Sequence, residues 1–166
     1  MPFSTGPGSY LNVDLASQTL TVRSPEGRVV ASYSVSTALN GPGEREGSGC
    51  TPRGEHFVRA RIGAGLPLNT VFRGRRPTGE IYSPALAAAH PHRDWILTRI
   101  LWLCGRAWGI NRGPGVDTFR RFIYIHGTPD TEPMGSARSH GCIRMRNTDI
   151  AELFDQVSAG MRVDIC

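Results

Sequence analysis

A period-two alternation of apolar and polar residues, cut by turn residues, is the feature that most restricts this chain. Tyr10-Leu11-Asn12-Val13-Asp14-Leu15, Gln18-Thr19-Leu20-Thr21-Val22 and Val29-Val30-Ala31-Ser32-Tyr33-Ser34-Val35-Ser36 carry it in turn. As strands, such segments turn one face to a core and the other to water. Ser24-Pro25-Glu26-Gly27 is a turn between the second and third, so the first third predicts three antiparallel strands. Residues 40–49 hold too much Gly, Pro and charge for regular structure and read as a loop. A strand pattern returns over residues 55–62.

Further along, Trp95-Ile96-Leu97-Thr98-Arg99-Ile100-Leu101-Trp102-Leu103 suits a buried strand or a short helix by periodicity, and we read it as a strand. Arg121-Phe122-Ile123-Tyr124-Ile125-His126 is β-branched and aromatic, and Gly127-Thr128-Pro129-Asp130 follows it. This predicts a strand ending at His126. Asn147, Thr148 and Asp149 are candidate N-caps for a helix whose apolar face is Ile150, Leu153, Phe154 and Val157 and whose end is Gly160. A short strand over residues 161–165 closes the chain. With 20 Gly and 12 Pro in 166 residues, the expectation is one domain over residues 1–166, mainly β with one or two helices.

The net charge of +5 arises entirely from Arg, since the chain has no Lys. The arginines are dispersed apart from Arg73-Gly74-Arg75-Arg76 and Arg120-Arg121, without interleaved aromatics, which argues against nucleic-acid binding. The first residues show neither a basic segment nor an apolar run of signal length, and no apolar stretch is long enough to span a membrane. Four cysteines without metal-finger spacing suit free thiols in a reducing compartment. A cytoplasmic location is therefore expected, the periplasm being the alternative if a leader was trimmed or export is non-standard.

A catalytic thiol needs a base and an open approach. Cys142 follows Gly141, which leaves room for consecutive N–H groups to converge on an oxyanion, and a Gly-, Pro- and Ser-containing loop joins it to His126. On residue types alone, a core thiol beside a satisfied histidine competes with a catalytic pair. A metal site of His126, His140 and Cys142 lacks a fourth ligand. The helix beginning shortly after Cys142 offers a field that would favour a thiolate. Tyr124, two residues from His126, shares its strand face as a pocket wall or as core packing. His90-Pro91-His92 reads as an exposed turn and His56 as a strand residue. Cys50, Cys104 and Cys166 read as inert or buried, and Trp95, Trp102 and Trp108 as core.

Ile125-His126-Gly127-Thr128 and Ser139-His140-Gly141-Cys142-Ile143-Arg144-Met145 closely resemble the signature of the L,D-transpeptidase catalytic domain family, the YkuD-like fold. Thr51-Pro52-Arg53-Gly54 is similar to the turn preceding a strand in that family. The resemblance implies a β-sandwich or barrel in which Cys142 attacks a stem-peptide carbonyl at the bond to D-Ala. It makes His126 the base, the Gly127 carbonyl the group that orients the imidazole, and the N–H groups of His140, Gly141 and Cys142 the oxyanion hole. Arg144 would hold a substrate carboxylate or a structural salt bridge, and Ser139 and His140 would shape the loop or touch substrate. No metal or cofactor is implied. Expected partners are peptidoglycan stem peptides or soluble muropeptides, with a covalent carbapenem adduct possible at Cys142. Without an export signal, hydrolysis by an L,D-carboxypeptidase in murein recycling is expected over crosslinking by an L,D-transpeptidase. A non-catalytic wall-peptide-binding module is the further alternative.

Overall fold

A computed structural model describes residues 3–166 of the chain. The first three strands, β1 (Tyr10–Asp14), β2 (Thr19–Arg23) and β3 (Val29–Ser34), form the expected antiparallel meander. In β1 and β2 the alternation is literal: Leu11, Val13, Leu20 and Val22 are fully buried while their neighbours are half-buried. Beyond them lie β4 (Gly54–Ile62), β5 (Thr70–Arg73), β6 (Arg76–Ile81), helix α1 (Pro84–Ala89), β7 (Ile96–Gly105), β8 (Tyr124–Thr128), β9 (Ile143–Arg146), helix α2 (Asn147–Phe154) and β10 (Arg162–Ile165).

All ten strands belong to one curled sheet of order β3-β2-β1-β10-β4-β7-β5-β6, with β8 branching from β7 and β9 from β8. β10 runs parallel to β1 and antiparallel to β4, joining the last strand to the first. β8 and β9 are parallel, with His126 opposite Arg144.

β7 explains its own ambiguity in the sequence. Leu101 and Leu103 face the main core with Ile125, Ile143, Met145, Ile150 and Phe154. Ile100 and Trp102 face a second cluster with Phe72 and Tyr124, against which Cys142 packs. A strand buried on both faces loses the apolar-polar contrast that identifies half-buried strands.

Several boundaries depart from the sequence reading. β8 runs on to Thr128, so His126 stands two residues inside the strand and not at its end. α2 begins at Asn147 with Arg146 in the cap position and no side-chain cap, and it stops at Phe154, well before Gly160. Asn147 is not a cap because its amide is drawn into a buried network described below. Trp108 is 75% exposed and does not fill the core; Trp102 does pack beside the second cluster. His90-Pro91-His92 is exposed as expected. The β5–β6 hairpin and α1 had no legible pattern, since β6 is exposed along nearly its whole length and α1 buries no residue.

Candidate active site

Strand parity builds the site. Ile125, Ile143 and Met145 point into the main core, so Tyr124, His126 and Arg144 point to the opposite face. Cys142, immediately before β9, packs into the second cluster with Tyr124 on that face. The parallel β8–β9 register thus brings two motifs separated in sequence onto one surface.

His126 is almost wholly buried, and its Nδ1 lies 2.6 Å from the Gly127 carbonyl oxygen. A carbonyl only accepts, so Nδ1 carries the proton and Nε2 keeps its lone pair. Burial holds the imidazole below the usual histidine range, against the pull of the Gly127 carbonyl. Gly127 has no room for a side chain: a Cβ there would strike Asn147 Oδ1 and stand 2.6 Å from the Leu97 carbonyl.

Cys142 is half-buried. Its Sγ accepts the Tyr124 N–H at 3.3 Å and donates to the Phe122 carbonyl at 3.3 Å. Among the described residues no hydrogen bond joins the sulfur to the imidazole. Burial pushes the thiol up to about 12, outweighing the Tyr124 N–H that favours a thiolate. Burial thus works against the charged form of each partner. The α2 field contributes little here, because the four residues of β9 separate Cys142 from the helix start, roughly 13 Å of extended chain, and a helix terminus acts only over about its first turn.

The loop before the thiol is braced from three directions. Ser139 Oγ accepts the Gly141 N–H at 3.2 Å and donates to the Cys142 carbonyl at 2.6 Å. Thr51 Oγ1 donates to the Gly141 carbonyl at 2.8 Å and accepts the Ala38 N–H at 3.0 Å. Arg144 closes an antiparallel bridge with Ser36. Of the three N–H groups expected to face an oxyanion, that of Gly141 is held by Ser139, while those of His140 and Cys142 meet no protein acceptor among the described residues.

Arg144 is mostly buried and lies 3.5 Å from Asp94 and 3.9 Å from Glu132. These three residues, His140, Trp95 and Thr128 help to line a cavity of about 160 Å³ beside the loop. Tyr124 is buried, its hydroxyl accepting from Arg75 Nη1 at 3.1 Å. Cys104 is buried, Cys50 half-buried and Cys166 exposed, all as free thiols. His56 is sealed between the Gly54 carbonyl and Thr118 Oγ1, and burial lowers it to about 4.

Sequence reasoning missed Asn147, Thr98, Asp94 and Glu132. Asn147 Oδ1 accepts from Thr98 Oγ1 at 2.5 Å, and its Nδ2 donates to the Thr128 carbonyl at 2.8 Å and to Asn69 Oδ1 at 3.0 Å. Thr98 is held at φ 74°, a strained setting for a β-branched residue, where β7 shifts register against β8. No local pattern marks these residues, because each acts across strands. Thr51 alone had a signal, as the first residue of the Thr-Pro-x-Gly turn.

The family model described as the L,D-transpeptidase catalytic domain matches residues 8–165. A probable L,D-transpeptidase, ErfK/SrfK, of Escherichia coli is 51% identical over 45 residues, which are 27% of this chain and 14% of that protein. A putative L,D-transpeptidase, YkuD, of Bacillus licheniformis is 51% identical over 41 residues, 25% of each chain. The matched stretches thus span a quarter or less of these curated relatives. The solved L,D-transpeptidase from Mycobacterium smegmatis superposes with a TM-score of 0.55 at 20% identity, covering 98% of this chain and 60% of that one. A second, LdtMt1 in complex with imipenem, superposes at 0.56 with 20% identity, covering 98% and 60%. These likenesses bear out the mainly β architecture, and with the family match they establish that the chain belongs to the L,D-transpeptidase catalytic domain family.

Proposed function

We propose that the protein is a cysteine acyl-transfer enzyme that cleaves the bond between an L-centre and a terminal D-Ala in peptidoglycan stem peptides. The observation that carries this reading is the Nδ1–Gly127 contact, which leaves His126 Nε2 a proton acceptor on the face that Cys142 occupies. Substrate entry turns Sγ from its backbone partners toward the imidazole by a rotamer change. The thiol proton passes to Nε2 as sulfur bonds to the carbonyl carbon, and the N–H groups of His140 and Cys142 receive the oxyanion. Collapse breaks the C–N bond, and the imidazolium returns the proton to the departing amine of D-Ala.

Water then resolves the thioester, giving a tripeptide. Arg144, already neutralised by Asp94 and Glu132, serves to hold the loop. Such an enzyme would act on soluble muropeptides, in the cytoplasm, and fractionation of cells carrying the untagged full-length protein tests that location.

The decisive assay offers a disaccharide tetrapeptide with and without an amine acceptor. Tripeptide and free D-Ala are expected in both; abundant crosslinked dimer with little tripeptide would instead make the protein a transpeptidase. A carbapenem should form an acyl adduct on Cys142, read by intact mass. Equal labelling of Cys50, Cys142 and Cys166 by iodoacetamide, with no turnover, would favour the non-catalytic binding module.

A further inference from the structure

The Arg73-Gly74-Arg75-Arg76 group is carried by the turn between β5 and β6, and that turn leans over the second cluster beside Cys142. Gly74 and Arg75 have φ 56° and 64°, the left-handed pair of a two-residue hairpin turn. Asn or Gly suits the second position far better than a long side chain does. Arg75 is nevertheless held there by its guanidinium. Nη1 donates to Tyr124 OH at 3.1 Å, and Cζ stands 4.9 Å from the Trp102 ring centre and 4.7 Å from that of Phe122.

Those neighbours are the sulfur's own. Tyr124 supplies the N–H and Phe122 the carbonyl between which Sγ rests, so the guanidinium stands one tyrosine side chain away from the nucleophile. Among the described residues Arg75 has no carboxylate within ion-pairing distance, and its remaining N–H donors meet no protein acceptor. Arg59, stacked on Phe119, and Arg121, bound to the Gly43 and Cys50 carbonyls, also lack an acidic partner among the described residues. Phe122 is 49% exposed and gives this corner an apolar floor. Arg144, by contrast, already has Asp94 and Glu132.

We infer that Arg75 is a specificity-determining residue that binds a carboxylate of the acyl-donor peptide, borne by the side chain of the residue acylated at Cys142. A free guanidinium fork fits a carboxylate bidentately, and a long acidic side chain spans the length that Tyr124 spans. The inference rests on the acyl-transfer reading for the identity of its ligand, and its test is made separable from that reading.

Two tetrapeptides differing only in a carboxylate or carboxamide at the end of the third-residue side chain are titrated against the C142A variant by calorimetry. The carboxylate peptide should bind at least tenfold more tightly, R75Q in the same background should abolish the difference, and R75K should lie between. Unaltered alkylation of Cys142 by the neutral reagent iodoacetamide in R75Q alone would show that the site is intact. An undiminished preference in C142A/R75Q, or no preference or binding in C142A itself, would overturn the assignment. Arg75-dependent discrimination without turnover by the wild-type enzyme would refute the peptidase reading and leave the carboxylate site standing.

Discussion

β7, β8 and β9 present two faces built on opposite terms. Toward the main core they send Leu101, Leu103, Ile125, Ile143 and Met145, all fully buried and apolar. Toward the site they send Ile100 and Trp102 together with Tyr124, His126 and Arg144, with the half-buried Cys142 alongside, so polar groups stand among apolar ones there. The first face gains stability from removing apolar area from water, about 1.5–3 kcal/mol for each large side chain. The second bears His126 and Cys142, whose burial disfavours their charged forms. Alternate residues of the same strands thus hold the protein together and equip it to react.

The strongest break between the faces lies in turnover. Cys142→Ala should leave no measurable tetrapeptide cleavage, and His126→Gln should cost about 10²–10⁴ in kcat/KM, with unfolding midpoints in urea close to wild type. A large loss of stability in Cys142→Ala would put the sulfur among structural groups. Leu153→Ala on the opposite face should reverse the pattern, losing about 2–5 kcal/mol of stability while the folded fraction keeps its kcat.

Acidification sharpens the comparison elsewhere. His56 is neutral in the fold, with its pKa lowered to about 4, while in the unfolded chain it takes up a proton near 6.5. Its contribution is complete above about pH 6.5 and is lost as pH falls toward 4, roughly 3 kcal/mol in all. Urea titrations at pH 7 and pH 4.5 should show the decline, and it should shrink in His56→Gln. His126 is lowered too, so kcat/KM should hold its value somewhat below the usual histidine range before falling in acid. Alkylation of Cys142 in the free enzyme should keep rising through alkaline pH, since its thiol is raised.

The smallest expected effect is at Ser139. Ser139→Ala removes both loop bonds of its hydroxyl, which should cost about 1–2 kcal/mol in stability and about tenfold in kcat. A turnover loss as large as that of His126→Gln would give Ser139 a direct part in the chemistry.

The apolar face was largely legible in the sequence, because burying one side of a strand imposes a period of two. β1, β2, β3 and β4 followed from it, and the two His-Gly motifs pointed to the site. Across from it legibility failed for physical reasons. Asn147 resembles an N-cap in its local setting, and only the fold reveals that its amide ties β7 to β8. Asp94 and Glu132 are ordinary loop acids until β9 brings Arg144 between them. The β5–β6 hairpin is short and exposed along β6, so nothing in its composition disclosed that Arg75 reaches Tyr124.

The parallel alignment of His126 with Arg144 has an implication for how this domain can change over time. Sliding β9 by a single residue would send Met145 outward into water and drive Arg144 into oil, so the core itself rejects misaligned partners. The segment spanning residues 129–138 can then vary only where it keeps Glu132 against Arg144 and the Gly135 and Arg138 N–H groups on the Val35 and Thr37 carbonyls. Hydrophobic packing thereby keeps the reactive groups in step, while the exposed side chains of the intervening chain carry no such constraint.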